Sequence, residues 1–225
     1  MIDSFIIHDL KNPISGIAGS VGLFMDGFLG PLSEDQKKYL KNMQLGVKLT
    51  LDMLSDLQAI IDLEEGKFVV EKASFPGNEL QKNLSWAIEY AKKDGKIIQV
   101  NIPENISIFA DINITSKIIE NLLLNSVKQS GRGETITLNI KNENRGVSFE
   151  VFDLRKGISK EILYHIFEND FKSKYPDLRS HAGPAQNLYF CKLAIEACGG
   201  SISAELIDSG GCVFRFYFPE RSDVK

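Results

Sequence analysis

Apolar positions in the first 64 residues follow a helical rhythm. Ile7, Leu10, Ile14, Ile17, Val21, Phe24 and Phe28 recur at alternating spacings of three and four, the signature of a coiled-coil seam. Gly30-Pro31-Leu32-Ser33 interrupts it. Pro31 cannot continue a helix, Ser33 can cap the next one, and Glu34 and Asp35 suit its positive first turn. Leu40, Met43, Val47, Thr50, Leu54, Leu57 and Ile61 then repeat the alternation. The pattern predicts two antiparallel helices joined by a short turn. One seam per helix makes a thin core, which a second copy of the hairpin would complete as a four-helix bundle. Homodimerisation is the expectation.

From about residue 67 the pattern changes. Short β-branched and aromatic runs at 97–102, 135–140, 147–152, 201–207 and 213–218 predict strands. Between them 78–93, 115–130, 159–168 and 185–198 read as helices, giving an α+β sandwich with helices on one sheet face. Glu64-Glu65-Gly66-Lys67 is the predicted linker, so the expected domains are 1–65 and 66–225.

Composition adds exclusions. The chain has 225 residues, 43% of them hydrophobic, enough for a real core. A net charge of -4 and a pI near 5.5, without a cluster of Lys and Arg, count against sequence-independent nucleic-acid binding. Cys191, Cys198 and Cys212 lack zinc-site spacing and read as reduced core residues. No apolar run is long enough to span a bilayer, and no signal-peptide pattern opens the chain. A soluble, cytoplasmic segment is expected.

His8 is the first candidate for chemistry. It follows Ile7 and therefore lies beside the seam, where its ring should reach solvent. A neutral imidazole nitrogen is a competent nucleophile toward phosphorus. Asp9 could orient the ring or take its proton. Asn12, four residues on, shares its helical face. Pro13 removes a backbone donor and should kink the helix.

His8-Asp9-Leu10-Lys11-Asn12-Pro13, followed by the seam, the Gly-Pro-Leu-Ser turn and a second seam helix, resembles the dimerisation and histidine-phosphotransfer domain of sensor histidine kinases. The resemblance implies that His8 is the phosphoacceptor and that Asp9 assists phosphoryl transfer. Asn12, by the same resemblance, assists dephosphorylation of a partner response regulator. Only seven residues precede His8, fewer than the family's first helix usually carries. The expectation is an excised core or a protein with no attached sensor.

The rest of the chain resembles the ATP-binding domain shared by histidine kinases, Hsp90 chaperones and type II topoisomerases. Asn121, Asn125 and Lys128, at spacings of four and three, share one helical face where amide oxygens can hold Mg²⁺ and an ammonium can meet phosphate. By resemblance, Asn125 is the metal ligand. Asp153-Leu154-Arg155-Lys156-Gly157 stands where the family has Asp-x-Gly-x-Gly. Asp153 would accept the adenine amino group and Gly157 keeps the second glycine. Arg155 replaces the first, where it either crowds the adenine pocket or swings out to solvent. The last glycine box falls on Gly183-Pro184-Ala185-Gln186-Asn187-Leu188. It keeps Gly183, but Ala185 and Asn187 replace glycines and Pro184 removes a donor from a phosphate-wrapping segment.

The resemblance thus implies ATP and Mg²⁺ as cofactors, while the lost glycines predict weak nucleotide binding. Three functions follow. The chain is an ATP-dependent kinase of His8, a module exchanging phosphate between His8 and an aspartate of a receiver domain, or a non-catalytic scaffold for a response regulator or partner kinase. The intact His-Asp-x-x-Asn motif argues against the scaffold and the damaged boxes against the autokinase.

Overall fold

The computed structural model describes residues 4–178, 187–208 and 210–220. The chain divides into two compact units, Met1–Glu65 and Gly66–Lys225.

The first unit is a hairpin of α1 (Ser4–Met25) and α2 (Glu34–Glu64), packed against each other. Gly27 and Gly30 take positive φ in the turn, a conformation that costs glycine little. Ser33 closes a reciprocal capping box: its Oγ accepts from the Gln36 backbone N-H at 3.2 Å, and the Gln36 side-chain oxygen accepts from the Ser33 N-H at 2.8 Å. Two orphan donors of the helix start are thereby satisfied. α1 runs on through Pro13.

The α1 seam has inner and outer positions, and on α2 burial falls on Leu54 of the seam and on Ile60 beside it. Ile7 and Val21 are buried, as are Leu54 and Ile60 on α2, whereas Leu10, Ile17, Phe24 and Phe28 on α1 and Met43 on α2 lie exposed. Ile7, Ile14 and Val21 thus alternate with exposed Leu10, Ile17 and Phe24, and Phe28 at the turn extends the uncovered apolar strip.

The second unit carries a five-stranded sheet in the order β2-β4-β5-β7-β6, formed by β2 (Ile97–Asn101), β4 (Thr135–Glu143), β5 (Gly146–Asp153), β7 (Cys212–Pro219) and β6 (Ser201–Leu206). β2 and β4 run parallel and the other neighbours antiparallel. A separate pair, β1 (Ala73–Pro76) and β3 (Ser107–Ala110), was not legible in the periodicity because each strand has only four residues.

Register puts the large side chains on one face: Leu138 opposite Val151, Ile140 opposite Phe149, Phe149 opposite Phe216. Phe149 and Phe216 stack at 4.3 Å between centroids and Phe218 meets both edge-on. On the other face Lys141 and Arg215 pair with Glu150. The buried face is covered by helices α4 (Ser85–Lys93), α5 (Ile112–Gln129) and α8 (Asn187–Ala197). The architecture is the expected α+β sandwich with one helical layer.

Two expected helices are shorter than their sequence windows. The 78–93 stretch breaks at Leu84, giving a separate α3 (Asn78–Asn83) ahead of α4. The 159–168 stretch holds only α6 (Lys160–Leu163), followed by turns and α7 (Phe171–Lys174). Leu163, Ile166, Phe167 and Phe171 are all buried along it, so burial there does not need an unbroken helix. Among the described residues no helix is long and apolar enough to cross a membrane.

Candidate functional site

His8 stands on α1 with its side chain 71% exposed, and its Nδ1 lies 3.5 Å from an oxygen of Asp9, itself 76% exposed. That separation is long for a hydrogen bond but short enough for the carboxylate to steer the ring. Asn12 is exposed one turn along the same helix. The backbone rhythm delivers this arrangement unaided: Ile7, only 1% exposed, anchors the turn and the next residue is held at the edge of the seam.

The second group of residues is buried. α5 begins at Asp111, whose Oδ1 accepts from the N-H groups of Asn113 and Ile114 while Oδ2 accepts from that of Glu71. This cap fixes the helix against the unit, and its run of buried residues from Ile114 to Val127 includes Asn121 and Asn125. The Asn121 amide oxygen accepts from Asn187 Nδ2 at 3.2 Å. Asn125 is fully buried, yet neither its oxygen nor its nitrogen has a hydrogen-bond partner, and Asn187 Oδ1 is likewise unpaired. An unsatisfied buried amide costs roughly 1–3 kcal/mol, so the unmet Asn125 amide lowers the stability of this unit.

Lys128 lies at the next position of the same face. Partial desolvation lowers its pKa. Burial, and then the charge of Lys128, bring Lys172 on α7 down to about 8. Two ammonium groups thus feel each other in a poorly hydrated setting. Lys172 was missed in the sequence, where only its position beside Phe171 marked it.

Asp153 ends β5 with its side chain on the inward face, opposite Cys212, and it is fully buried. Arg155 has not swung out to solvent. Its guanidinium turns back so that Nε lies 2.9 and 3.1 Å from the two Asp153 oxygens and Nη2 lies 2.6 Å from Oδ2. The Arg155 backbone N-H donates to Oδ1 at 3.0 Å. Both side chains are wholly excluded from solvent, and the guanidinium carbon sits 4.5 Å from the centre of the Phe214 ring, within cation–π range. Gly211, at φ +106, lies against Asp153, where a Cβ would collide with the aspartate's carbonyl oxygen. Gly157 takes φ +83 with open space around its Cβ position, so its requirement is backbone conformation. Gly183, Pro184 and Ala185 lie outside the described residues.

The donor set fits Mg²⁺ and a nucleotide unevenly. Mg²⁺ is usually held by one or two protein oxygens plus water and substrate phosphates. The unpartnered Asn125 oxygen meets that need, and no cluster of three or more acidic, His or Cys ligands is present among the described residues to hold a metal alone. Asp153, expected from the resemblance to accept the adenine amino group, fits less well: three N-H groups of Arg155 already occupy both of its oxygens.

Comparison with known proteins gives the class. Residues 110–222 match the family of histidine kinase-, DNA gyrase B-, and HSP90-like ATPases, and residues 4–66 match the His Kinase A (phospho-acceptor) domain. The chain belongs to the histidine kinase family of signal transduction proteins.

It is 29% identical over 220 residues to the sensor protein KdpD of Clostridium acetobutylicum, a match covering 96% of this chain and 24% of that protein. It is 23% identical to the signal transduction histidine-protein kinase BaeS of Escherichia coli, covering 98% of this chain and 46% of BaeS. The chain thus spans less than half the length of either relative. The fold matches the full-length ShkA crystal structure, a complex with AMPPNP, at TM-score 0.69 and 21% identity over 96% of this chain and 44% of ShkA. It also matches the histidine kinase AdeS of Acinetobacter baumannii at TM-score 0.64 and 16% identity, over 96% and 98% of the two chains.

Proposed function

We propose that this chain is a homodimeric phosphotransfer core in which His8 carries a phosphoryl group exchanged with an aspartate on the receiver domain of a response regulator. The observation that carries the reading is the exposed imidazole beside Asp9, with Asn12 one turn away. A proton held on Nδ1 by the Asp9 carboxylate leaves Nε2 as the nucleophile. Nε2 attacks the phosphorus of the receiver's aspartyl phosphate. The N-P bond forms, the acyl P-O bond breaks with its electron pair leaving on the receiver carboxylate, and the imidazolium proton passes to Asp9 or water. The reverse step returns the phosphoryl group, and Asn12 positions a phosphoryl oxygen or a hydrolytic water. Such transfer depends on positioning between docked partners more than on a nucleotide pocket.

Dimerisation is assigned to the strip of Leu10, Ile17, Phe24 and Phe28 left exposed in the single hairpin. Apolar side chains at this spacing are stable in water when a second helix pair covers them. Asn125 is assigned as the protein ligand of Mg²⁺, with Lys128 and Lys172 facing phosphate. ATP is not assigned as the phosphoryl donor, because Arg155 occupies the carboxylate of Asp153.

The test is incubation with a phosphorylated receiver. Wild type should take up an acid-labile, alkali-stable label, His8→Ala should lose it, and Asn125→Ala should keep it. A label that survives His8→Ala refutes the carrier role and favours the scaffold.

A further inference from the structure

We infer that Arg155 is an internal plug of the base subsite, a guanidinium that occupies the carboxylate an adenine would need. The inference rests on the reading of Asp153 as the base-binding residue, and three observations carry it. A carboxylate offers about four acceptor positions, and Asp153 receives four contacts from Arg155: backbone N-H and Nε on Oδ1, Nε and Nη2 on Oδ2. Both oxygens are thus claimed by three N-H groups of one residue, in direct competition with an exocyclic amino group. The guanidinium is also planar and packs at 4.5 Å from the centre of the Phe214 ring, filling space as a flat base would. Finally, both charges are fully excluded from water.

Burying an ion pair is rarely justified by stability, since an apolar pair of equal volume usually does as well. The partners are only two residues apart, so closing the pair orders little additional chain. Adenine can reach Asp153 only by displacing Arg155, which would leave a cation in a dry site or force it out to solvent. The contrast with Asn125 localises the effect. That amide is unpartnered, so the phosphate and metal end remains available while the base end is shut. The site is therefore selective against adenine while still able to meet a polyphosphate.

Calorimetry on the whole chain with Mg²⁺ tests this by comparing ATP with inorganic tripolyphosphate. Arg155→Gly should tighten ATP binding by roughly ten- to a hundredfold, the range of a charged hydrogen-bonded contact regained. Tripolyphosphate affinity should stay within about twofold, because its contacts do not involve Asp153. An unchanged ATP affinity, or equal changes for both ligands, overturns the plug.

Circular dichroism checks that the variant folds. If it does not, nuclear magnetic resonance of the wild type decides. The Arg155 Nε-H should be protected from exchange and unmoved by tripolyphosphate, and any ATP that binds should release it in proportion to occupancy. An unprotected Nε-H in the free protein, or one that persists under bound ATP, refutes the plug. Receiver-derived label on His8 does not pass through Arg155, so its presence or absence tests the proposed function separately.

Discussion

His8 and Asp153 make opposite demands on the fold. His8 needs a helix and exposure: its neighbours Asp9 and Asn12 are set by one and four residues of spacing on α1, and its ring stands in solvent. Asp153 is buried at the end of a central strand, and its environment is assembled from Arg155, Phe214 and the backbone around Gly211. A substitution at the exposed site changes one contact. At the buried site one side chain, Arg155, takes up both oxygens of the carboxylate. An exposed side chain on a helix depends on few neighbours, while a carboxylate in a packed interior takes its environment from every side chain around it.

The largest effect is expected in the hairpin that presents His8. Val21→Asp places a charge at a position 3% exposed, and an unpaired buried charge costs on the order of 4 kcal/mol or more. Unit 1 should lose its helical signal and His8 its label. Leu10→Asp, on a position 47% exposed, should instead leave the hairpin folded and shift the chain to monomer in light scattering. A Leu10→Asp chain that remains dimeric would remove the exposed strip from the interface.

The next effect lies at the plug. Asp153→Ala leaves the Arg155 guanidinium buried without its carboxylate, and breaking such a pair from one side costs roughly 3–5 kcal/mol. Thermal unfolding should show unit 2 melting earlier while receiver-derived labelling of His8 persists. An unaltered melting point would mean that the pair opens readily to solvent.

A smaller effect of opposite sign is expected at Asn125. Replacing the unpartnered amide by the similarly sized leucine removes its unmet polar atoms, a gain of about 1–3 kcal/mol. Asn125→Leu should therefore raise the melting temperature of the ligand-free chain and abolish Mg²⁺-dependent tripolyphosphate binding. A lower melting temperature would show that the amide is satisfied in solution.

The smallest expected effect is a pH dependence from Lys172. Its folded pKa lies near 8 and its ordinary value is 10.5. Between these values the unfolded chain binds more protons, so stability rises with pH across that window. The rise should be modest, because the side chain is half-exposed and solvent screens its charge. Lys172→Met should flatten that part of the profile. Tripolyphosphate affinity should fall over the same range as the ammonium loses its charge.

Whatever repeats on a local period was legible before any folding was known. The seams of α1 and α2, the Ser33 cap, the exposure of His8 and the alternation of β4, β5 and β7 all follow from spacings of two to four residues, since helix and strand geometry fix which neighbours share a face. The division of the α1 seam into buried and uncovered positions needed the tertiary structure, because only the packing of α1 on α2 chooses between equivalent apolar positions. So did the break at Leu84 and the pairing of β1 with β3, where short segments give too little period to read. The direction of Arg155 was open in the sequence, inward or outward. It was settled by Asp153 at the strand end and by Phe214, which β7 brings alongside β5. The unpartnered state of Asn125 was equally hidden, because a helix places an amide on a face but only the surrounding fold decides whether anything meets it.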